Sequence, residues 1–105
     1  YRELFRRGAE IVTVPAAFTV VTGAAHWESL LRARAIENQC YLIAAGQGGR
    51  HNEKRQTWGH SMIISPWGSI LSQVDEGEGI ALAEIDMDYL KEIRIRMPIR
   101  EQQKL

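Results

Sequence analysis

The sequence predicts an α/β fold in which helices and strands alternate in the first half and strands follow one another in the second. Two runs rich in β-branched and apolar residues, EIVTV at residues 10–14 and CYLIAA at residues 40–45, flank a helical pattern at residues 24–38. Three further strand patterns then precede a last helix. Alternation is typical of α/β crossover units, whereas consecutive strands joined by turns form antiparallel hairpins.

The first half is predicted to contain two helices and two strands. Residues 1–7 form helices readily and are followed by Gly8, a typical helix C-terminal cap. On this pattern EIVTV is a strand that ends at Pro15, and Thr22 and Gly23 break the chain before the central helix. CYLIAA is a continuous apolar run. Both strands are expected to be buried on both faces. The few helices predicted here cannot cover both faces of the sheet by themselves.

The second half is predicted to be mostly antiparallel β structure. Residues 46–56 are polar and glycine-rich, which is typical of a loop. Three strands are expected next, at residues 58–64, 69–74 and 80–85. The first two are joined by a turn at residues 66–68 (PWG). Asp86 is a good N-cap for a helix at residues 87–97, Pro98 ends that helix, and the last residues are expected to be loose.

Charged residues of the central helix are spaced for ion pairs. Glu28 and Arg32 are four residues apart, and Arg34 and Glu37 are three apart, which places each pair on one helix face. We expect a structural role for both pairs. Arg34 lies near the apolar stripe of the helix and is a candidate for a contact between subunits.

Composition indicates an ordinary globular domain. The chain has 105 residues, of which 45% are apolar and 25% charged, enough for one domain with a modest core. Its 13 basic and 13 acidic residues cancel, so no global charge favours nucleic acid or a lipid surface. The single cysteine cannot form an internal disulfide, which fits a reducing compartment. We therefore expect a cytoplasmic location and neither nucleic-acid nor membrane partners.

Few residues suggest a nucleophile, a metal site or a cofactor site on pattern alone. Cys40 opens an apolar strand, so a buried structural thiol is favoured over a Cys–His nucleophile. His51, Glu53 and His60 match no zinc-binding spacing, and no metal is expected. The glycine-rich residues 46–49 are not followed by the Lys-Ser/Thr of a phosphate-binding loop, and no cofactor is expected.

Five segments match the motifs of one enzyme family. They are G-A-E-I-hydrophobic-P at residues 8–15, A-F-T-x-x-T-G-x-x-H-W at 17–27, R-A-R-A-I-E-x-Q-C-Y at 32–41, A-x-Q-x-G-R-H-x-E-K-R at 45–55 and G-H-S-M-I-I-x-P-W-G at 59–68. From residue 1 to about residue 98 the chain resembles the nitrilase superfamily of carbon–nitrogen hydrolases. The last two segments are most similar to the deaminated-glutathione amidase branch, although ω-amidases and N-carbamoyl hydrolases share much of the pattern. Ser65 stands where an Asp is frequent.

The resemblance implies a partial α-β-β-α sandwich, with residues 1–105 as the C-terminal part of a single carbon–nitrogen hydrolase domain that forms homo-oligomers. It implies hydrolysis of a small carboxylate-bearing amide, such as deaminated glutathione, by a Glu–Lys–Cys set. In that scheme the thiolate attacks, the glutamate shuttles protons and the lysine helps to hold the oxyanion. All three are expected upstream of residue 1, so this chain alone would be inactive. The alternative is a non-catalytic remnant or oligomerisation module of the same fold.

The resemblance also implies which residues face the substrate: Phe18, Thr19, Thr22 and His26. We expect His26 and Trp27 at the start of the central helix, where partial positive charge and unpaired N–H groups suit a carboxylate. For Trp27 the favoured interpretation is a core residue. For His26 the alternative is a group whose hydrogen bonds are satisfied by the protein.

Overall fold

The chain folds into a four-stranded mixed sheet covered by a long helix, with a two-stranded hairpin beside it, as expected for the α/β class. The computed structural model describes residues 1–50, 56–75, 77 and 79–99, with the backbone only at residue 50. In chain order the elements are α1 (Arg2–Arg6), β1 (Ile11–Ala16), α2 (Val20–Thr22), a π-helical turn (Gly23–Trp27), α3 (Glu28–Asn38), β2 (Tyr41–Gly46), β3 (Gly48–Arg50), β4 (Gln56–Trp58), β5 (Met62–Ile64), β6 (Ile70–Gln73) and α4 (Met87–Arg96).

The larger sheet has the strand order β1-β2-β5-β6. Strands β1 and β2 are parallel and in register from Ile11 opposite Tyr41 to Ala16 opposite Gly46, so the chain crosses over through α2 and α3 between them. The pairs β2–β5 and β5–β6 are antiparallel, and the second contains an irregularity between Ile63 and Ile64. Crossover and hairpin connections therefore coexist, as the sequence predicts.

The core lies between α3 and one face of this sheet. Trp27, Leu31 and Ala35 are four residues apart, which places them on one side of the helix, and each is at most 2% exposed. They pack against alternate residues of the strands. These are Val12 of β1, Leu42 and Ala44 of β2, and Met62 and Ile64 of β5.

Strand β1 differs from expectation in its length and in its burial. It continues through Pro15 to Ala16, which is possible because β1 is an edge strand where a missing N–H breaks no ladder. Only one of its faces is covered, and Ile11 is 45% exposed. In β2, by contrast, the adjacent residues Tyr41 and Leu42 are both buried, so this strand is covered on both faces at its start.

The central helix begins four residues earlier than predicted. Thr19 is its N-cap, and the Thr19 Oγ1 accepts a hydrogen bond from the Thr22 N–H at 3.4 Å. Gly23 continues the helix as the first residue of the π-helical turn, instead of breaking it. A Cβ on Gly23 would lie 2.2 Å from the Trp58 Cβ, so the glycine is required by close packing and not by a turn.

The segment after β2 is more structured than the sequence suggests. Strand β3 lies inside the predicted loop and pairs with β4, which begins at the last loop residue; residues 51–55 between them lie outside the described part. The predicted strand 58–64 is interrupted by Gly59 and His60, whose φ angles of 76° and 56° are left-handed. Consequently only Met62–Ile64 joins the larger sheet.

The strand predicted at residues 80–85 does not form. The Leu82 N–H donates to the Ser72 Oγ at 3.1 Å, a side-chain acceptor on β6, instead of joining a backbone ladder. Ile80 and Leu82 are 83% and 81% exposed, so this segment does not bury the apolar side chains on which the prediction depended.

Three local signals are confirmed. Gly8 follows α1 with a φ of 91°, and Asp86 caps α4 by accepting a hydrogen bond from the Tyr89 N–H at 3.1 Å. At the turn of residues 66–68 the Ser65 Oγ accepts hydrogen bonds from the N–H groups of Trp67 and Ser69, so serine serves where the family often has an aspartate.

Within the described residues no helix is long and apolar enough to cross a membrane. Residues 100–105, predicted to be loose, lie outside that part.

Candidate functional site

The loop after β1 and the first turns of the central helix frame an open hollow of about 750 Å³, which we call the Phe18 depression. Its lining consists of Ala17, Phe18, Thr19, Thr22, His26, Ser29 and Leu30. All four predicted substrate-contact residues are in this set. Residues 22, 26 and 29 share one helix face, and the N-cap loop brings Phe18 and Thr19 to the same place. The structure therefore brings these side chains together, while their contact with substrate stays a prediction.

The lining is mostly apolar, with a small polar cluster at the helix start. The hydroxyls of Thr19 and Thr22 are 2.7 Å apart and share a hydrogen bond. Both residues are exposed and line the depression. An apolar hollow with a few convergent polar groups is the usual form of a small-molecule site.

His26 does not lie at the helix N-terminus. Because the helix begins at Val20, the partial positive charge of its dipole is centred on residues 20–22, and His26 is in a later turn. Its side chain is exposed and lines the depression. Substrate contact by His26, and the alternative of a histidine whose hydrogen bonds are satisfied by the protein, both stay predictions.

Trp27 forms the support beneath the depression. It is 1% exposed, which confirms the core interpretation, and its ring meets Phe18 edge-on with centroids 4.9 Å apart at 66°. The Trp27 Nε1–H donates to the backbone carbonyl of His60 at 2.8 Å. Phe18 is thus held in place by a buried ring that is itself fixed by a hydrogen bond.

Sequence reasoning missed the role of residues 57–60 in building this site. The Trp58 N–H donates to the Phe18 carbonyl at 2.8 Å, and Thr57 forms an isolated β-bridge with Thr19. The rings of Trp58 and His60 stack, with centroids 3.9 Å apart at 12°. The only signal in the sequence was the Gly-His pair at 59–60, which interrupts an otherwise strand-like run.

Cys40 is structural, as expected. It is 1% exposed, and burial raises the pKa of its thiol to about 11, with the Arg94 charge acting weakly in the opposite direction. A thiol with this pKa is protonated at neutral pH, and the thiolate is the nucleophilic form. Since Cys40 is the only cysteine in the sequence, these 105 residues contain no activated thiol.

Within the described residues no group of three or more His, Cys, Asp or Glu side chains could hold a metal ion. His60 is described, but His51 and Glu53, with which it was considered as a metal ligand, lie outside that part.

Of the two ion pairs predicted in the central helix, one forms. Arg34 and Glu37 pair at 2.7 Å, and the Arg34 guanidinium also lies over the Tyr1 ring at 4.8 Å. Arg32 instead donates from its Nε to the Gly68 carbonyl at 2.8 Å, which ties the helix to the turn after β5. A tertiary acceptor thus replaces the predicted Glu28 partner.

Comparison with known proteins identifies relatives along nearly the whole chain. The family model described as carbon-nitrogen hydrolase matches residues 1–95. The deaminated glutathione amidase of Bos taurus is 56% identical over 96 residues, which cover 91% of this chain and 29% of that protein.

Two solved structures have the same arrangement of elements. The Caenorhabditis elegans NitFhit protein superposes with a TM-score of 0.93 at 48% identity, over 99% of this chain and 26% of that chain. Saccharomyces cerevisiae Nit3, a member of branch 10 of the nitrilase superfamily, superposes with a TM-score of 0.88 at 32% identity, over 100% of this chain and 40% of that chain. The chain therefore spans well under half the length of each of these relatives.

Proposed function

The chain belongs to the carbon–nitrogen hydrolase family and has part of its nitrilase-type fold, and we propose that it frames the substrate site of an amidase. The proposed substrate is a small carboxylate-bearing amide of the deaminated glutathione type, because a relative of 56% identity is a deaminated glutathione amidase. The observation that carries the proposal is the convergence of Phe18, Thr19, Thr22 and His26 on one depression.

The depression offers complementary groups for such a substrate. Phe18 and Leu30 provide apolar surface for the carbon chain of the amide. The hydroxyls of Thr19 and Thr22, the nearby helix N-terminus and the exposed His26 imidazole offer hydrogen bonds or positive potential to a carboxylate. This division of apolar and polar lining supports an acid-bearing substrate over a purely apolar one.

Bond cleavage is assigned to a Glu–Lys–Cys set outside these residues. In the proposed reaction the cysteine thiolate attacks the amide carbon, the amine or ammonia leaves with a proton from the glutamate, and water releases the acid. Cys40 takes no part, because its thiol is buried and protonated. The same observation supports a second candidate, in which residues 1–105 by themselves are a non-catalytic module that associates with an intact subunit of a homo-oligomer.

The test uses the complete protein encoded by the gene. Purified protein is assayed with deaminated glutathione, α-ketoglutaramate and an N-carbamoyl amino acid, with product release as the readout. We expect hydrolysis of deaminated glutathione, a higher KM for Phe18→Ala, and no change for Cys40→Ala, the matched substitution outside the site. Preference for α-ketoglutaramate or the carbamoyl compound would reassign the substrate within the family. The absence of hydrolysis of all three would contradict amidase function and favour the non-catalytic module.

A further inference from the structure

We propose that His60 is a positioning residue for the Phe18 depression, which it shapes through Trp27 and Trp58 without contacting the ligand. The proposal rests on the proposed function, because it concerns the same site. His60 is not part of the lining of the depression. Its carbonyl accepts the hydrogen bond from the Trp27 Nε1–H, and its ring stacks on Trp58.

His60 has a backbone conformation that few non-glycine residues adopt. Its φ is 56°, directly after Gly59 at 76°, and the left-handed region disfavours most L-residues because the Cβ crowds the following carbonyl. Polar side chains that bond to the local backbone tolerate this region best. The His60 Nδ1 lies 2.7 Å from the Trp58 carbonyl and forms such a bond. The side chain therefore stabilises the turn that leads from β4 to β5.

This turn connects the hairpin to the depression through four contacts. They are the Thr57–Thr19 bridge, the hydrogen bond from the Trp58 N–H to the Phe18 carbonyl at 2.8 Å, the packing of Trp58 on Gly23, and the hydrogen bond from the Trp27 Nε1–H to the His60 carbonyl at 2.8 Å. All four depend on the path of residues 57–60. The second contact fixes the backbone of Phe18, and the fourth fixes the Trp27 ring on which Phe18 packs.

A change in the conformation of this turn would alter the depression by displacing Trp27. This residue is 1% exposed, so its indole N–H is buried with the His60 carbonyl as its acceptor, and an unpaired buried donor is costly. The indole would have to move to find another acceptor. Phe18, which packs edge-on against it, would then lose the surface that holds it at the depression.

The kinetic test compares His60→Ala, His60→Asn and a control in the complete protein. Alanine removes the stacking and the Nδ1 bond, whereas asparagine tolerates left-handed backbone and retains a polar group for the local bond. The control is Gln39→Asn. Gln39 is also left-handed, with a φ of 48°, but it bonds to the Met97 carbonyl far from the depression in sequence and lines no part of it.

We expect His60→Ala to raise KM for the amide about tenfold with little change in kcat, because Phe18 is then held less firmly against the bound substrate. His60→Asn should restore KM to within about threefold of wild type. Gln39→Asn should lower the unfolding midpoint without changing KM. An unchanged KM in folded His60→Ala, or an equal rise in Gln39→Asn, would overturn the proposal.

A second readout does not depend on activity. The complete protein is labelled with ¹⁵N-indole tryptophan, the Trp27 signal is assigned with Trp27→Phe, and hydrogen exchange of its N–H is measured. Exchange should be at least about tenfold faster in His60→Ala and unchanged in Gln39→Asn. If wild type hydrolyses no amide, the proposed function fails but this measurement still decides the role of His60. Equal Trp27 exchange in wild type and His60→Ala would refute it.

Discussion

Adding one methyl group at Gly23 should destabilise the protein, although alanine is the better helix former. Gly23 is buried in the π-helical turn, and a Cβ there would lie 2.2 Å from the Trp58 Cβ and 2.3 Å from its Cγ. Ordinary van der Waals contact begins at 3.4 Å, so the two residues must separate by 1.2 Å to restore it. The Trp58 Cβ is held by the backbone in every rotamer, so no side-chain rotation relieves the shorter of the two contacts.

The magnitude follows from two opposing effects. Overpacking of a filled site costs about 1–3 kcal/mol, and the upper end applies here because the Trp58 backbone is fixed by its hydrogen bond to Phe18. Replacing glycine by alanine inside a helix contributes roughly 1 kcal/mol in the other direction. We therefore expect Gly23→Ala to lower the free energy of unfolding by about 2 kcal/mol.

Urea denaturation of wild type and variants measures this change. The neighbouring Ala24 is exposed in the same turn, and Ala24→Gly should cost about 1 kcal/mol from propensity alone, which provides the matched control. In a Trp58→Gly background, where the clashing Cβ is gone, Gly23→Ala should become stabilising. A Gly23→Ala protein that is as stable as wild type would refute the packing argument, and so would a failure of the sign to reverse.

Two further predictions concern Cys40 and Arg32. Burial raises the pKa of Cys40 from 9.0 to about 11, so the folded state keeps a proton that the unfolded state loses. The contribution of this thiol to the free energy of unfolding is complete below pH 9 and falls as the pH rises towards 11. Cys40→Ala should therefore lose less stability than wild type between pH 8 and pH 10.5, as measured by denaturation at the two pH values. Arg32→Ala should lower the free energy of unfolding by about 1 kcal/mol because its bond to the Gly68 carbonyl is lost, whereas Glu28→Gln should change it by less than about 0.5 kcal/mol. If both substitutions lowered the free energy of unfolding equally, the predicted Glu28–Arg32 ion pair would be supported instead.

Features that depend on neighbouring residues in the chain were predictable. Gly8 ends α1, Asp86 caps α4 and the turn at residues 66–68 forms, because each needs only a local conformation and a local hydrogen bond. The long apolar run at residues 40–45 became the central strand β2, shifted by one residue. The motif at residues 17–27 indicated which side chains line one depression, although it placed His26 too close to the helix start.

Contacts between distant parts of the chain decided the rest. Gly23 lies within a helix and not at its start, and the reason a glycine is needed there is that Trp58, 35 residues later, fills the space where a Cβ would be. Arg32 bonds to the Gly68 carbonyl and not to Glu28, since that acceptor arrives only when the sheet forms. The roles of Trp58 and His60 likewise exist only once β4 and the turn after it bring Trp58 to the Phe18 carbonyl and His60 to the Trp27 indole. Residue type and spacing thus determined the family, the local caps and four of the side chains that line the depression. Long-range packing and hydrogen bonding determined where the helix begins, where strands stop and what holds the site, because those partners are not neighbours in the sequence.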